Sequence, residues 1–208
     1  MYKFIAHRGN NDNNCENKFD CLKNIVNYDY IYGIEVDVRE SLDRVLVLNH
    51  NSFIKKNHSI YFISKTNYKD LNLTTLKYLL DNIDTNKIII LDIKDNIDVN
   101  KFYKFIKKYY YLNIYICSFN YDFVYRLKSN YKLLKVGLII GYNMNINKDI
   151  NIFDFLSIHY NVKKIFNKDL FIWTVNNYKL LDKLPNNLGI ITDNSYDLKN
   201  KNLQKKST

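Results

Sequence analysis

Eight short apolar runs recur along this chain, and the segments between them carry helical spacing. The runs are residues 3–6, 33–38, 87–93, 113–118, 135–140, 154–158, 170–175 and 189–192. Most are runs of Ile, Leu, Val and Phe, without polar alternation. A strand of that kind is covered on both faces, as in a parallel sheet with helices outside it. Helices are predicted over 16–28, 74–83, 99–111, 121–129 and 177–184, with shorter ones around 162–166 and after Asn194. In the first, Phe19, Leu22, Ile25 and Val26 fall on one face; in the second, Leu76, Leu79, Leu80 and Ile83 do so. Eight strand–helix units in succession predict a TIM (β/α)8 barrel. A doubly wound open sheet is the alternative, but no Gly-rich phosphate loop follows the first strand. At 208 residues the barrel must be compact, with short loops. Residues 44–49 read as a small hairpin-like extension behind the second strand, and 51–70 as a polar loop. One barrel is expected over 1–198, followed by a basic tail at 199–208.

Hydrophobic residues make up 47% of the chain, enough for a substantial core and too many for a disordered one. The net charge is +10. Its lysines are scattered, with a modest cluster at Lys199, Lys201, Lys205 and Lys206. Without an arginine-rich block, zinc-finger spacing or RNA-binding aromatic motif, a solvated basic surface is expected and nucleic-acid binding is not. The charge also allows peripheral contact with an anionic membrane. Cys15, Cys21 and Cys117 are odd in number and lack C-x-x-C spacing, so a reduced, intracellular protein is expected. Residues 1–5 run straight into a core strand, with no signal segment or membrane-spanning run, so a cytoplasmic location is expected.

Almost every predicted strand ends in something polar, and barrel chemistry sits at strand C-termini. The first gives His7 and Arg8. The second gives Glu35 and Asp37, two apart and therefore on one face, with Ile34, Val36 and Val38 on the other. Two carboxylates side by side among apolar residues repel and are costly to desolvate, which calls for a cation. The extended run after them ends in His50, an imidazole able to move protons near neutral pH. The third gives Asp92 and Lys94; later ones give Ser118, His159, Trp173, Thr174, Thr192 and Asp193. Glu16 and Asn17 read as caps of the first helix that also brace the loop after the first strand, Ser118 as a strand end, and Thr192 and Asp193 as hydrogen-bonding supports of the last loop. His58 and His159 lack a recognisable motif. The cysteines lack an activating neighbour.

Ala6-His7-Arg8-Gly9, Glu16-Asn17, Gly33-Ile34-Glu35-Val36-Asp37-Val38 and Asn49-His50 together resemble the glycerophosphodiester phosphodiesterase family. Later marks agree: Asp92-Ile93-Lys94, Ser118-Phe119, Trp173-Thr174-Val175-Asn176 and Gly189-Ile190-Ile191-Thr192-Asp193. The resemblance covers residues 4–195 and implies a TIM barrel that uses one divalent metal, Mg2+ or Ca2+, to hydrolyse glycerophosphodiesters to glycerol 3-phosphate and an alcohol. It implies His7 and His50 as the acid/base pair and Glu35, Asp37 and Asp92 as metal ligands. Arg8 and Lys94 correspond to phosphate-contacting cations, and Trp173 to an aromatic of the substrate pocket. Asp92 stands where the family usually has Glu, a feature similar to the related phospholipase D toxins. Asn51 replaces the usual Asp after the second histidine. The insertion that follows, residues 51–70 at most, is short for the family, and it is the part that shapes the leaving-group side of the pocket. Lysophospholipase D activity, a cyclising phospholipase D reaction and a catalytically weak phosphate-binding barrel are the alternative readings.

Overall fold

The computed structural model describes residues 2–9, 15–145, 147–162 and 166–195. Eight parallel strands close on themselves. In order around the ring they are β1 (Lys3–His7), β2 (Gly33–Glu40), β6 (Ile88–Ile93), β7 (Ile114–Ser118), β8 (Lys135–Ile140), β9 (Phe155–His159), β10 (Asp169–Trp173) and β11 (Gly189–Thr192). β11 pairs with β1, Ile5 facing Ile191, and β1 pairs with β2, His7 facing Glu35, so no edge remains between first and last strand. The predicted barrel is the observed one, and the open-sheet alternative falls.

Alternation along each strand sorts its side chains. On β2, Ile34, Val36 and Val38 point outward into the layer shared with the helices, and on β6 so do Ile89, Leu91 and Ile93. Helices α1 (Phe19–Val26), α3 (Leu76–Asn82), α4 (Val99–Ile106) and α5 (Tyr121–Asn130) cover that layer with Leu22, Ile25, Leu79, Phe102, Phe123 and Leu127, among others. The inward set is smaller: Ile5, Ile88, Ile90, Cys117, Ile139, Phe155, Phe171 and Ile191, with Tyr115 and Trp173 packed against it. Phe155 and Phe171 fill the lower barrel because their facing positions are glycine. A Cβ on Gly137 would lie 2.5 Å from the Phe155 ring, and one on Gly189 2.2 Å from the Phe171 ring. Large rings over glycines plug the lower interior, and a cavity opens toward the strand C-termini.

Several expectations need correction. Residues 51–70 are not merely a loop. They hold an antiparallel hairpin, β4 (Phe53–Lys56) with β5 (Ser59–Phe62), then a 3-10 turn at Ile63–Lys65 and a single helical turn, α2 (Tyr68–Leu71). Asn57 and His58 both take positive φ, 49° and 61°, the backbone of a two-residue hairpin turn. The predicted helix at 177–184 is a 3-10 helix, Tyr178–Lys183. Pro185 follows, and the residue before a proline is pushed out of α geometry, so Leu184 is extended. The expected extension behind the second strand is present as β3 (Leu46–Leu48), antiparallel to β2. The helices expected around 162–166 and after Asn194, and the tail from 199, fall largely or wholly outside the described residues.

The cysteines also differ from expectation. Cys15 and Cys21 form a disulfide, their Cα atoms 5.8 Å apart, and Cys117 stays free and buried. The turn at 15–17 folds back on α1 and brings the pair together; that proximity is not visible in a count of three. A disulfide is a state that oxidising compartments sustain, so the expectation of a reduced protein does not hold for this pair. Among the described residues no helix is long and apolar enough to cross a membrane.

Candidate active site

A cavity of about 200 Å³ opens at the strand C-termini. His7, Arg8, Glu35, His50, Asp92, Lys94 and Trp173 all line it. Asp37 is fully buried beside them, paired in register with Asp92 across β2 and β6. Eight side chains from five separated stretches therefore converge, and every site residue singled out from the sequence is among them.

The local backbone explains several positions. β1 ends in a tight turn in which Arg8 and Gly9 take positive φ, 53° and 78°. A side chain at Gly9 would be strained by that φ and would meet Leu22 of α1 at 2.5 Å. The turn aims the Arg8 amide at Glu35 Oε2, 3.1 Å away. β3 runs back down beside β2, the Asn49 amide donates to the Asp37 carbonyl at 3.1 Å, and His50 is delivered to the mouth. Arg39 fixes it there, donating Nε and Nη2 to the His50 carbonyl at 2.9 and 2.7 Å. Arg39 is itself held by Asp95 at 2.5 Å.

The charges form one network. Lys94 Nζ contacts Asp37 Oδ1 at 2.9 Å and Asp92 Oδ2 at 2.5 Å. Arg8 contacts Asp37 Oδ2 through Nε at 3.1 Å and Glu16 through Nη1 at 3.0 Å. Asn17 donates to Asp37 Oδ2 at 2.9 Å and accepts the Asp37 amide at 3.0 Å. Glu16 and Asn17 therefore brace Arg8 and Asp37. They do not cap α1, whose N-cap is Lys18 with no side-chain bond. His7 places Nδ1 2.5 Å from Asp193 Oδ1 and Nε2 3.7 Å from Glu35 Oε2.

Burial and neighbours set the protonation behaviour. Burial, reinforced by the Asp37 charge, pushes the Glu35 carboxyl up to about 7. Burial pushes Asp92 up to about 6 against the pull of Lys94. For Asp37, burial is outweighed by Lys94, Arg8 and Asn17, which hold its carboxyl below the usual range. Burial would lower His7, but Glu35 and Asp193 outweigh it and raise the imidazole above its ordinary value. His50 is lowered, chiefly by burial.

Glu35, Asp37 and Asp92 each offer an oxygen, and these oxygens lie within 4.8 Å of one another. Asp92 Oδ1 is buried with no hydrogen-bond partner. An all-carboxylate donor set with an unsatisfied buried oxygen fits a hard divalent cation.

An aromatic ladder climbs from the cavity. Trp173 meets Phe119 edge-on at 5.7 Å and His159 edge-on at 5.1 Å, and His159 stacks on Tyr160 at 4.5 Å. His159, without a motif in the sequence, thus joins the mouth. Asp193 is the other position that sequence reasoning undervalued. Expected as a loop support, it is the partner of His7 and is steadied by Asn176, which donates at 2.6 Å. The spacing of Asn176 and Asp193 carries no local signal, because they meet only when β10 and β11 close the ring. Ser118 is a strand end as read, donating to the Ile93 carbonyl at 2.6 Å.

No family model matches the chain, and no curated protein matches it. Solved structures do. A glycerophosphodiester phosphodiesterase from Parabacteroides distasonis superposes with a TM-score of 0.79 at 21% identity, covering 100% of this chain and 98% of that one. One from Thermotoga maritima gives 0.75 at 22% identity, covering 94% and 96%. A phosphodiesterase from Oleispira antarctica, solved in complex with sn-glycerol-3-phosphate, gives 0.78 at 17% identity, covering 95% of each chain. The chain therefore has the fold of the glycerophosphodiester phosphodiesterases over essentially its whole length.

Proposed function

We propose that the protein is a metal-dependent phosphoric diester hydrolase that splits glycerophosphodiesters into glycerol 3-phosphate and an alcohol. The observation that carries this reading is the convergence of two imidazoles, two cations and a buried acidic triad on one cavity. Glu35, Asp37 and Asp92 would hold the metal, Mg2+ or Ca2+. Such an ion would supply Lewis-acid neutralisation of the phosphate charge. Arg8 presents a planar fork to phosphate oxygens and Lys94 a point charge, both from the cavity wall. The new P–O bond forms as the nucleophile loses its proton to one imidazole. The bond to the leaving alcohol breaks as the other imidazole delivers a proton to that oxygen. Asp193 holds His7 by Nδ1, leaving Nε2 for the reacting side. Trp173 forms the apolar wall against the glycerol or the leaving group.

The aromatic ladder favours a second reading within the same chemistry. Phe119, His159 and Tyr160 extend the Trp173 wall outward, and a lysophospholipid could lay its acyl chain along them, as in a lysophospholipase D. The test incubates purified protein with glycerophosphocholine, glycerophosphoethanolamine or lysophosphatidylcholine and Mg2+ or Ca2+, following products by phosphorus NMR. Free glycerol phosphate from the first two supports the main reading. A preference for the lysolipid supports the second, and a cyclic phosphate product shows a cyclising reaction. Activity untouched by chelator, or retained in His7→Ala and His50→Ala, overturns the mechanism.

A further inference from the structure

The end of the barrel opposite the cavity carries its own surface. Consecutive strands β2, β6, β7 and β8 are each preceded by a short turn on that side: residues 27–32, 83–87, 107–113 and 131–134. These turns and the helix ends beside them are joined. Lys87 Nζ donates to the Tyr28 carbonyl at 2.6 Å, Tyr109 donates to Asp81 at 2.8 Å, and Tyr103 stacks on Tyr131 at 3.6 Å. Their tips are apolar and bare: Leu133 is 100% exposed, Tyr110 88% and Tyr111 67%, with Tyr32 also exposed. Single exposed apolar side chains are ordinary, but several gathered on adjacent turns of one face mark an interaction site. Around them stand exposed Lys107, Lys108, Lys132 and Lys135, with only Asp29 and Asp84 as exposed acids on the same turns.

We propose that this face docks on an anionic lipid surface. Tyrosine rings suit the water–lipid boundary, an exposed leucine inserts into the acyl layer, and lysines are drawn to acidic headgroups. Nucleic acid is disfavoured. The cations here are all lysines, without the arginine forks that grip phosphate and base edges, and a leucine tip neither stacks on nor hydrogen-bonds a base. Docking here leaves the catalytic mouth facing away from the membrane, open to a water-borne diester. The proposal is independent of how the cavity is read.

The full chain is centrifuged with vesicles of phosphatidylcholine alone or mixed with phosphatidylserine, beside Tyr110→Ser/Tyr111→Ser/Leu133→Ser and Lys107→Ser/Lys108→Ser/Lys132→Ser. All substituted positions are exposed, and circular dichroism checks that each variant folds. Expected is sedimentation with the phosphatidylserine vesicles only, weakened about tenfold or more in each triple variant. The lysines at 199–206 are present in every protein, so a difference belongs to the barrel face. Absence of binding, or equal binding by wild type and variants, overturns the proposal. So does RNA binding that both triple variants lose without any vesicle binding.

Discussion

At the scale of single residues, what could be read in advance and what could not divide along a physical line. His7, Arg8, Asp92 and Lys94 announce themselves at or just past strand ends, Glu35 and Asp37 as a same-face pair on β2, and His50 just after β3. The supports that hold them do not. Asn17 braces Asp37 across 20 positions, Arg39 grips the His50 backbone, and Asp193 reaches His7 across 186 positions. The Asn17 and Asp193 pairings join separate strand–helix units and the Arg39 one spans the β2–β3 return, so no helix or strand period encodes them. Asp193 is the sharpest test of this layer. It raises His7 by hydrogen bond and charge, so Asp193→Asn should move the His7 titration to lower pH, followed by the imidazole signals in proton NMR. The same change releases the Nδ1 anchor and should cut kcat by roughly 100-fold or more with little change in KM. An unmoved His7 titration would reduce Asp193 to a loop support. His50 supplies a second test. Arg39→Ala leaves the imidazole chemistry intact but frees its backbone, and should lower activity by about tenfold or more while leaving the melting temperature little affected.

At the scale of elements, the eight strands were legible because a strand buried on both faces needs an unbroken apolar run, and their observed ends lie within two residues of the expected ones. The failures came where local chemistry, not periodicity, decides. The β4–β5 hairpin turns on Asn57 and His58 without the glycine that usually marks such a turn, and the helix expected before Pro185 is a 3-10 one that ends at an extended Leu184. The barrel interior was less legible still, since only the closed ring shows which glycine faces which aromatic. Gly137→Ala would drive a Cβ into Phe155, fully buried and unable to swing away. A loss of about 1–3 kcal/mol in urea unfolding is expected. Phe155→Leu in the same chain should recover part of it, because the smaller side chain vacates the space. Costs that simply add would show that the two do not share one packing site.

At the scale of the whole molecule, stability and the proposed cation binding would be linked through the same buried acids. Glu35 and Asp92 are raised to about 7 and about 6, whereas in the unfolded chain they titrate near 4. Between those values the folded protein holds more protons than the unfolded one. Metal-free stability should therefore fall as pH rises from about 4 to about 7. Asp37 and Asp193 act oppositely: both are depressed, so the stability they confer is present above about 4 and lost below it. A maximum at about pH 4 follows. A divalent cation on the triad competes with the protons on Glu35 and Asp92, so its stabilisation should grow with pH. The check is the melting temperature with and without Mg2+ or Ca2+ at pH 5.5 and pH 8, for wild type and Asp92→Asn. The shift should be larger at pH 8 and much reduced in the variant, which has lost the charge that Asp92 brings to the triad. A shift that is equal at both pH values, and kept in Asp92→Asn, would mean that the cation binds elsewhere and that the acidic triad is held by Lys94 and Arg8 alone.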